Sequence, residues 1–148
     1  MMEQRYIVNV EGAIVRDGRF LMAVRSEREA HAPSTLALVG GKVEVVGNAS
    51  DVLEETLRRE IVEEVGVTVA PELAYIYSTA FVTDYGTPVV DVAFLCRHAA
   101  GEPVAVDPNE VAAVVWLTAA EIAADPQVPP WTQRMIALAE AARLRLGW

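Results

Sequence analysis

Three glutamates in one short segment, REIVEEVGV (residues 59–67), are the residues of this chain best suited to chemistry. On a helix with about 3.6 residues per turn, Glu60, Glu63 and Glu64 fall within an arc of roughly 100°. Clustered carboxylate oxygens are the ligands that a hard divalent cation prefers, and Mg²⁺ also binds substrate phosphates. The pattern therefore indicates metal-assisted phosphate chemistry. The alternative is a solvated, charged helix face, because glutamate is also a good helix former.

The residues around this segment predict the helix that must position the glutamates. An apolar stripe recurs every four residues, at Leu53, Leu57, Ile61 and Val65. We expect a helix over residues 51–65, with Ser50 or Asp51 as its N-cap and Gly66 as its end. Glu64 lies next to the stripe, where a carboxylate is costly unless something neutralises it.

Further elements follow from alternation, turn residues and helical periodicity. Two hairpins are predicted, one at the Asp17-Gly18 turn and one at residues 84–87. The predicted strands cover residues 6–15, 20–24, 36–39, 73–82, 88–96 and 111–117, and two more helices cover residues 118–125 and 131–146. Thr118 and Glu121 form a capping-box pattern at the start of the first of these helices. Hairpins rule out a purely parallel sheet, so we expect an α/β fold with a mixed, partly antiparallel sheet covered by helices on both faces.

Composition limits the remaining classes of function. The chain has 148 residues, of which 53% are hydrophobic, and we expect residues 1–148 to form one domain. A net charge of −9 argues against general nucleic-acid binding. No apolar run approaches the roughly 20 residues of a membrane span, and the N-terminus lacks the pattern of a signal peptide. With Cys96 as the only cysteine, we expect a cytoplasmic protein.

Residues 41–67 resemble the Nudix box, G-x5-E-x7-R-E-U-x-E-E-x-G-U, where U is a bulky aliphatic residue. The second half matches at every constrained position: Arg59, Glu60, Ile61, Glu63, Glu64, Gly66 and Val67. The opening Gly40-Gly41-Lys42-Val43-Glu44 is also usual for the box. Upstream of Arg59 the chain departs from the pattern, because Asp51 stands where the box has glutamate and the loop before it carries four extra residues.

The resemblance implies a Nudix-like α/β/α sandwich and hydrolysis of a pyrophosphate linkage in a nucleoside diphosphate derivative. Nucleoside triphosphates and ADP-ribose-like compounds both remain open as substrates. Mg²⁺ or Mn²⁺ is the implied cofactor, with Glu60, Glu63, Glu64 and the Gly40 carbonyl as ligands. Arg59 is implied to brace the loop through a salt bridge to Asp51. A homodimer is also expected by resemblance.

The resemblance specifies the general base and the phosphate-binding residues less closely than it specifies the metal ligands. Glu60 is one candidate base, and Glu110, just before a predicted strand, is a candidate base or fourth ligand, with an ordinary loop charge as the alternative. Arg25 and Lys42 are the candidates for contact with substrate phosphates, although Lys42 would equally serve to brace or solubilise its loop.

Two competing hypotheses belong to other classes of function. The altered loop would fit a Nudix-fold nucleotide-binding or regulatory module that has lost catalysis. The three intact glutamates argue against it, since such a module has no need of a costly carboxylate cluster. The other hypothesis is an acidic protein-interaction domain without a ligand, whose thermal stability would not respond to divalent metal.

Overall fold

The computed structural model describes residues 2–148, which form a mixed sheet with helices against both faces. Its seven strands are β1 (Ile7–Arg16), β2 (Arg19–Arg25), β3 (Leu36–Ala37), β4 (Val39–Lys42), β5 (Thr68–Val82), β6 (Pro88–Ala100) and β7 (Val111–Thr118). The helices of the same residues are α1 (Val52–Val65), α2 (Ala119–Ala124) and α3 (Pro130–Leu146). The predicted fold class is therefore confirmed.

Strand β1 is the centre of the sheet. It runs parallel to β6 along one edge, while its other edge pairs antiparallel first with β4 and then with β2. The main strand order is β3-β2-β1-β6-β5, and β7 pairs with β2. On that side, β1 therefore has two successive partners: β4 lies alongside Asn9 to Gly12, and β2 lies alongside Val15 and Arg16.

The turns and caps follow the predicted local chemistry. Asp17 and Gly18 both have positive φ, at 50° and 73°, as a two-residue turn between β1 and β2 requires. The capping box of Thr118 and Glu121 is present at the start of α2. Helix α1 ends at Gly66, whose φ of 71° is the left-handed conformation that glycine tolerates best.

Two hydrophobic cores lie on opposite faces of the sheet, because successive strand residues point to opposite sides. Phe20 and Met22 of β2 pack with α2 and α3, where Ile122, Met135 and Ile136 are buried. The intervening Leu21 packs with α1, where Leu57, Ile61 and Val65 are buried. Gly12 brings α1 close to the sheet, since a Cβ there would lie 3.3 Å from Leu57 and 3.2 Å from Cys96.

Strand lengths differ from the sequence prediction at two places. Strand β5 begins at Thr68 rather than at residue 73, and it passes Pro71 through register shifts between Val69 and Leu73. Such irregularities tolerate a residue that has no N–H to donate. Gly40 and Gly41 belong to strand β4, not to a loop.

Within residues 2–148, no helix is long and apolar enough to cross a membrane.

Candidate functional site

Two adjacent glycines permit close packing at the site, Gly40 between two strands and Gly41 between strand β4 and helix α1. A Cβ on Gly40 would overlap the carbonyl oxygen of Val10, so strand β4 can lie this close to β1 only with glycine there. A Cβ on Gly41 would lie 2.6 Å from Oε2 of Glu60. The double glycine therefore leaves room for strand pairing on one side and for a carboxylate on the other.

Glu60 and Glu64 lie one helical turn apart on the side of α1 that faces β4. Glu64 Oε2 accepts a hydrogen bond from the Gly40 N–H at 3.4 Å. Burial, and then the neighbouring charge of Glu60, raise the pKa of Glu64 to about 8 despite this hydrogen bond. Burial likewise raises the pKa of Glu60, against the opposing effect of Arg59. The two carboxyls thus form a desolvated, repulsive pair that a cation would stabilise.

The third glutamate of the segment lies apart from this pair. Glu63 is half exposed, and its carboxylate lies 3.2 Å from Nη1 of Arg59. Arg59 Nη1 lies at the same distance from Glu60. The predicted salt bridge from Arg59 to Asp51 is wrong, because α1 presents Glu63 to the guanidinium one turn away.

Asp51 begins the helix through its backbone. It adopts a left-handed conformation, with φ of 55°, and its carbonyl accepts from the N–H of Glu55 at 2.9 Å. Asp51 is thus the N-cap, one of the two predicted positions, but its side chain makes no capping hydrogen bond. Residues 44–50 are exposed, and the four extra residues are accommodated there, before α1 begins.

Most of the predicted site residues line one cavity of about 370 Å³. Its lining includes Glu60, Glu64, Gly40, Arg25, Lys42 and Glu110. Arg59 and Glu63 are outside this lining. Glu29 and Glu44, which the sequence did not single out as site residues, also border the cavity, as does Tyr85.

Loop contacts fix Arg25 and Glu110 at the cavity wall. Arg25 Nε donates to the carbonyl of His31 at 3.0 Å, and Nη2 lies 3.4 Å from Glu29. The Glu110 carbonyl accepts from the N–H of Ser26 at 3.0 Å. Partial burial, and then the charges of Asp107, Glu29 and Glu63, raise the pKa of Glu110. A carboxyl with a raised pKa at a cavity wall is suited to proton transfer.

A second cavity of about 400 Å³ adjoins the first, and Asn9, Glu11, Arg25 and Lys42 line both. Its wall is largely aromatic and apolar, with Phe81, Val82, Tyr85, Val89 and Trp131. The ring of His31 stacks on Phe81 with centroids 5.3 Å apart. The two cavities therefore form one cleft, with carboxylates at one end and aromatic rings at the other.

Three polar residues at the floor of the cleft also escaped the sequence analysis. Asn9 Nδ2 donates to Oδ1 of Asp91 at 2.7 Å, and Glu11 shares a side-chain hydrogen bond with Asp91. Burial is the largest cause that raises the pKa of both Glu11 and Asp91. Their signal in the sequence was a polar residue inside an otherwise apolar strand, in VNVEG and VVDVA.

The donor set around Glu60 and Glu64 fits a hard divalent cation in its chemistry. Two desolvated carboxylates lie one helical turn apart on α1, and the missing side chain of Gly41 leaves space beside Glu60. Within residues 2–148, no three acidic, histidine or cysteine side chains are grouped closely enough to hold a metal ion. Glu63 would have to leave Arg59 to complete the predicted trio of ligands.

Comparison with known proteins agrees with this geometry. The model of the NUDIX domain matches residues 6–139. A search of curated proteins gave no match.

Three solved structures share most of the architecture. The MutT NUDIX hydrolase from Burkholderia pseudomallei is 25% identical, with 91% of this chain and 98% of that chain covered and a TM-score of 0.76. The MutT protein from Methanosarcina mazei Go1 is 23% identical over 97% and 99% of the two chains, with a TM-score of 0.79. The NUDIX domain of Shewanella oneidensis NrtR, complexed with ADP ribose, is 19% identical over 97% and 90%, with a TM-score of 0.70.

Proposed function

Because the chain belongs to the Nudix hydrolase family, we propose that it is a metal-dependent enzyme that cleaves a pyrophosphate linkage in a nucleoside diphosphate derivative. We also propose that residues 1–148 act as one domain. The substrate class includes nucleoside triphosphates and ADP-ribose-like compounds. The NrtR domain, whose solved structure contains ADP ribose, is a reason to keep the second group in a substrate panel.

The observation that carries this proposal is the division of the cleft into two chemically different ends. Glu60, Glu64 and Glu110 lie at one end, and the aromatic wall of Phe81 and Trp131 lies at the other. A nucleotide has the same division, with phosphates at one end and a flat aromatic base at the other. Arg25 and Lys42 border both cavities, where they would contact the phosphates between the two ends.

Each residue at the carboxylate end has a chemical role in this proposal. Glu60, Glu64 and the Gly40 carbonyl would hold Mg²⁺ or Mn²⁺, joined by Glu63 once it leaves Arg59. The bound cation would neutralise charge that develops on the phosphoryl oxygens. Glu110, with its raised pKa, would accept the proton of the attacking water, and Glu60 is the second candidate for this role. Arg59 would position Glu60 and Glu63.

Phosphate release from a nucleotide panel with Mg²⁺ or Mn²⁺ tests the proposal. The panel contains nucleoside triphosphates and ADP-ribose, and it is run on the wild type, Glu64→Gln and Glu55→Gln. Glu55 is a matched control, because it is an exposed glutamate of the same helix whose salt bridge among residues 2–148 is to Arg58, at 3.8 Å, outside the cavity lining. We expect Glu64→Gln to lose at least about 100-fold in kcat/KM and Glu55→Gln to retain wild-type activity.

Two results would contradict the enzyme proposal. A wild type that binds nucleotides but hydrolyses none would favour the catalytically inactive module. A wild type whose thermal stability responds neither to divalent metal nor to nucleotide would favour a protein-interaction domain instead.

A further inference from the structure

A buried polar pair at the floor of the second cavity has no part in the proposed hydrolysis. Asn9 and Asp91 are directly opposite each other on the parallel strands β1 and β6. The 2.7 Å hydrogen bond from Asn9 Nδ2 fixes Oδ1 of Asp91, and the Asp91 residue is only 4% exposed. Both residues line the cavity with the aromatic wall.

The partners of Asp91 leave it with unused hydrogen-bond acceptors. A carboxylate offers about four lone-pair positions. Asn9 occupies one, and the side chain of Glu11 occupies another. Across residues 2–148, Asp91 takes part in no salt bridge with an arginine, lysine or histidine. A buried acceptor without full compensation is costly, so a ligand that donates to it gains free energy and specificity.

The walls above this pair suit a flat aromatic ring. Phe81 is held by its stack with His31, and His31 is held in turn by the N–H of Asp84, which donates to Nδ1 at 3.2 Å. Trp131, at the start of α3, is 60% exposed at the cavity wall. Every nucleobase has a face that can stack on such side chains, so the rings hold a base without selecting it. Selection would have to come from the polar floor.

We propose that Asp91, positioned by Asn9, determines base specificity by accepting a hydrogen bond from an exocyclic amino group of the nucleobase. This inference rests on the proposed function, since it assigns the base to the second cavity and the phosphates to the first. Substrates whose base has an amino group would be favoured over analogues that have a carbonyl oxygen or hydrogen in its place. The carbonyl oxygen would face the carboxylate and be repelled.

Matched substrate pairs test this proposal directly. CTP and UTP differ at position 4 of the base, ATP and ITP at position 6, and GTP and ITP only in the 2-amino group. In the wild type we expect the amino-bearing member of at least one pair to be favoured about 10- to 100-fold in kcat/KM. In Asp91→Asn, which replaces one of the two acceptor oxygens with an NH2 donor, we expect that ratio to fall by at least tenfold.

Binding measurements separate this inference from the proposed hydrolysis. Calorimetric Kd values for the same pairs, on the wild type and Asp91→Asn, report base preference even if no nucleotide is hydrolysed. An unchanged ratio of Kd values and of kcat/KM values in Asp91→Asn would overturn the inference while leaving the hydrolase proposal intact. If the wild type hydrolyses none of the nucleotides but still binds them with a preference that depends on Asp91, the hydrolase proposal would fail and the inference about Asp91 would stand.

Two further variants guard against a general folding defect. Asn9→Ala removes the donor that fixes Asp91, and we expect it to lower the same selectivity ratio. Trp131→Ala changes an exposed side chain, and we expect it to raise KM for both members of a pair by a similar factor. A selectivity ratio that changes in Trp131→Ala but not in Asn9→Ala or Asp91→Asn would assign discrimination to the stacking wall, against our proposal.

Discussion

Gly41 of the sheet and Glu60 of the helix approach each other so closely that a methyl group on Gly41 would lie 2.6 Å from a carboxylate oxygen. The contact joins the first strand residue of the Nudix box to the first of its three glutamates. It explains why a glycine is needed within a strand, where glycine normally weakens pairing. The Glu60 carboxylate can therefore occupy its position only because residue 41 has no side chain.

Gly41→Ala should displace the Glu60 carboxylate and weaken Mg²⁺ binding by at least tenfold, with a loss of kcat/KM of similar size. The control is Gly47→Ala, in the exposed loop, where a Cβ would meet nothing but φ is +81°. That control should cost only about 1 kcal/mol of folding stability through backbone strain. Isothermal titration with Mg²⁺ and thermal melts measure the two effects, and equal Mg²⁺ affinity in both variants would contradict this view of Gly41.

The metal-free protein should lose stability as pH rises from about 4.5 to about 8. Glu64 has a folded-state pKa of about 8, above the ordinary 4.5, so the folded state binds more protons than the unfolded state in this window. The loss should be a few kcal/mol, since each unit of pKa difference is worth about 1.4 kcal/mol. Urea denaturation with a chelator at pH 5, 6.5 and 8 measures it.

Glu64→Gln supplies the control for this pH dependence. Its free energy of unfolding should fall less steeply over the same range, with the remaining slope coming from Glu60, Glu11 and Asp91, whose pKa values are also raised. Added Mg²⁺ at pH 8 should stabilise the wild type more than the variant. Parallel curves for the two proteins would show that Glu64 ionises normally.

Arg59→Ala should change activity more than stability. Its side chain is 44% exposed, so the loss of its ion pairs should cost less than about 1 kcal/mol. Removal of its charge should raise the pKa of Glu60 further, because Arg59 is the main group that lowers it. We expect kcat/KM near pH 7 to fall about tenfold, with partial recovery at higher pH. The control is Arg145→Ala on α3, and a pH profile that does not shift would contradict this role.

Leu57→Ala and Ile136→Ala should distinguish the contributions of the two hydrophobic cores to Mg²⁺ binding. Both side chains are fully buried, on opposite faces of the sheet. Each substitution should destabilise the protein by about 2–5 kcal/mol. Only Leu57 lies on the helix that carries the glutamates, so only its variant should weaken Mg²⁺ binding at a temperature where both remain folded. A similar loss of Mg²⁺ affinity in both would show that the cores are coupled.

The sequence predicted the elements whose residues have a strong local signal. The apolar stripe from Leu53 to Val65 and the terminal Gly66 identified α1, and alternation identified most strands. Spacing alone placed Glu60 and Glu64 on one side of that helix, and both line the cavity. The capping box at Thr118 was equally local, and it is present as predicted.

Features that depend on long-range pairing could not be read from the sequence. Asn9 meets Asp91 only because β1 and β6 are parallel neighbours, 82 residues apart in the chain. The partner of Arg59 was also unpredictable, because its guanidinium pairs with Glu60 and with Glu63, one turn along the helix, and not with Asp51. In both cases the deciding interaction is set by packing geometry and not by residue type.

The lengthened loop before α1 has a practical consequence. Val46 at its centre is fully exposed, and Gly47 beside it has open space around it, whereas Glu44 of the same loop borders the cavity. A cysteine at position 46 would give a labelling site for a fluorophore, since the natural Cys96 is buried and its thiol pKa is raised to about 12. A single introduced cysteine would thus place an optical probe within a few residues of the cleft.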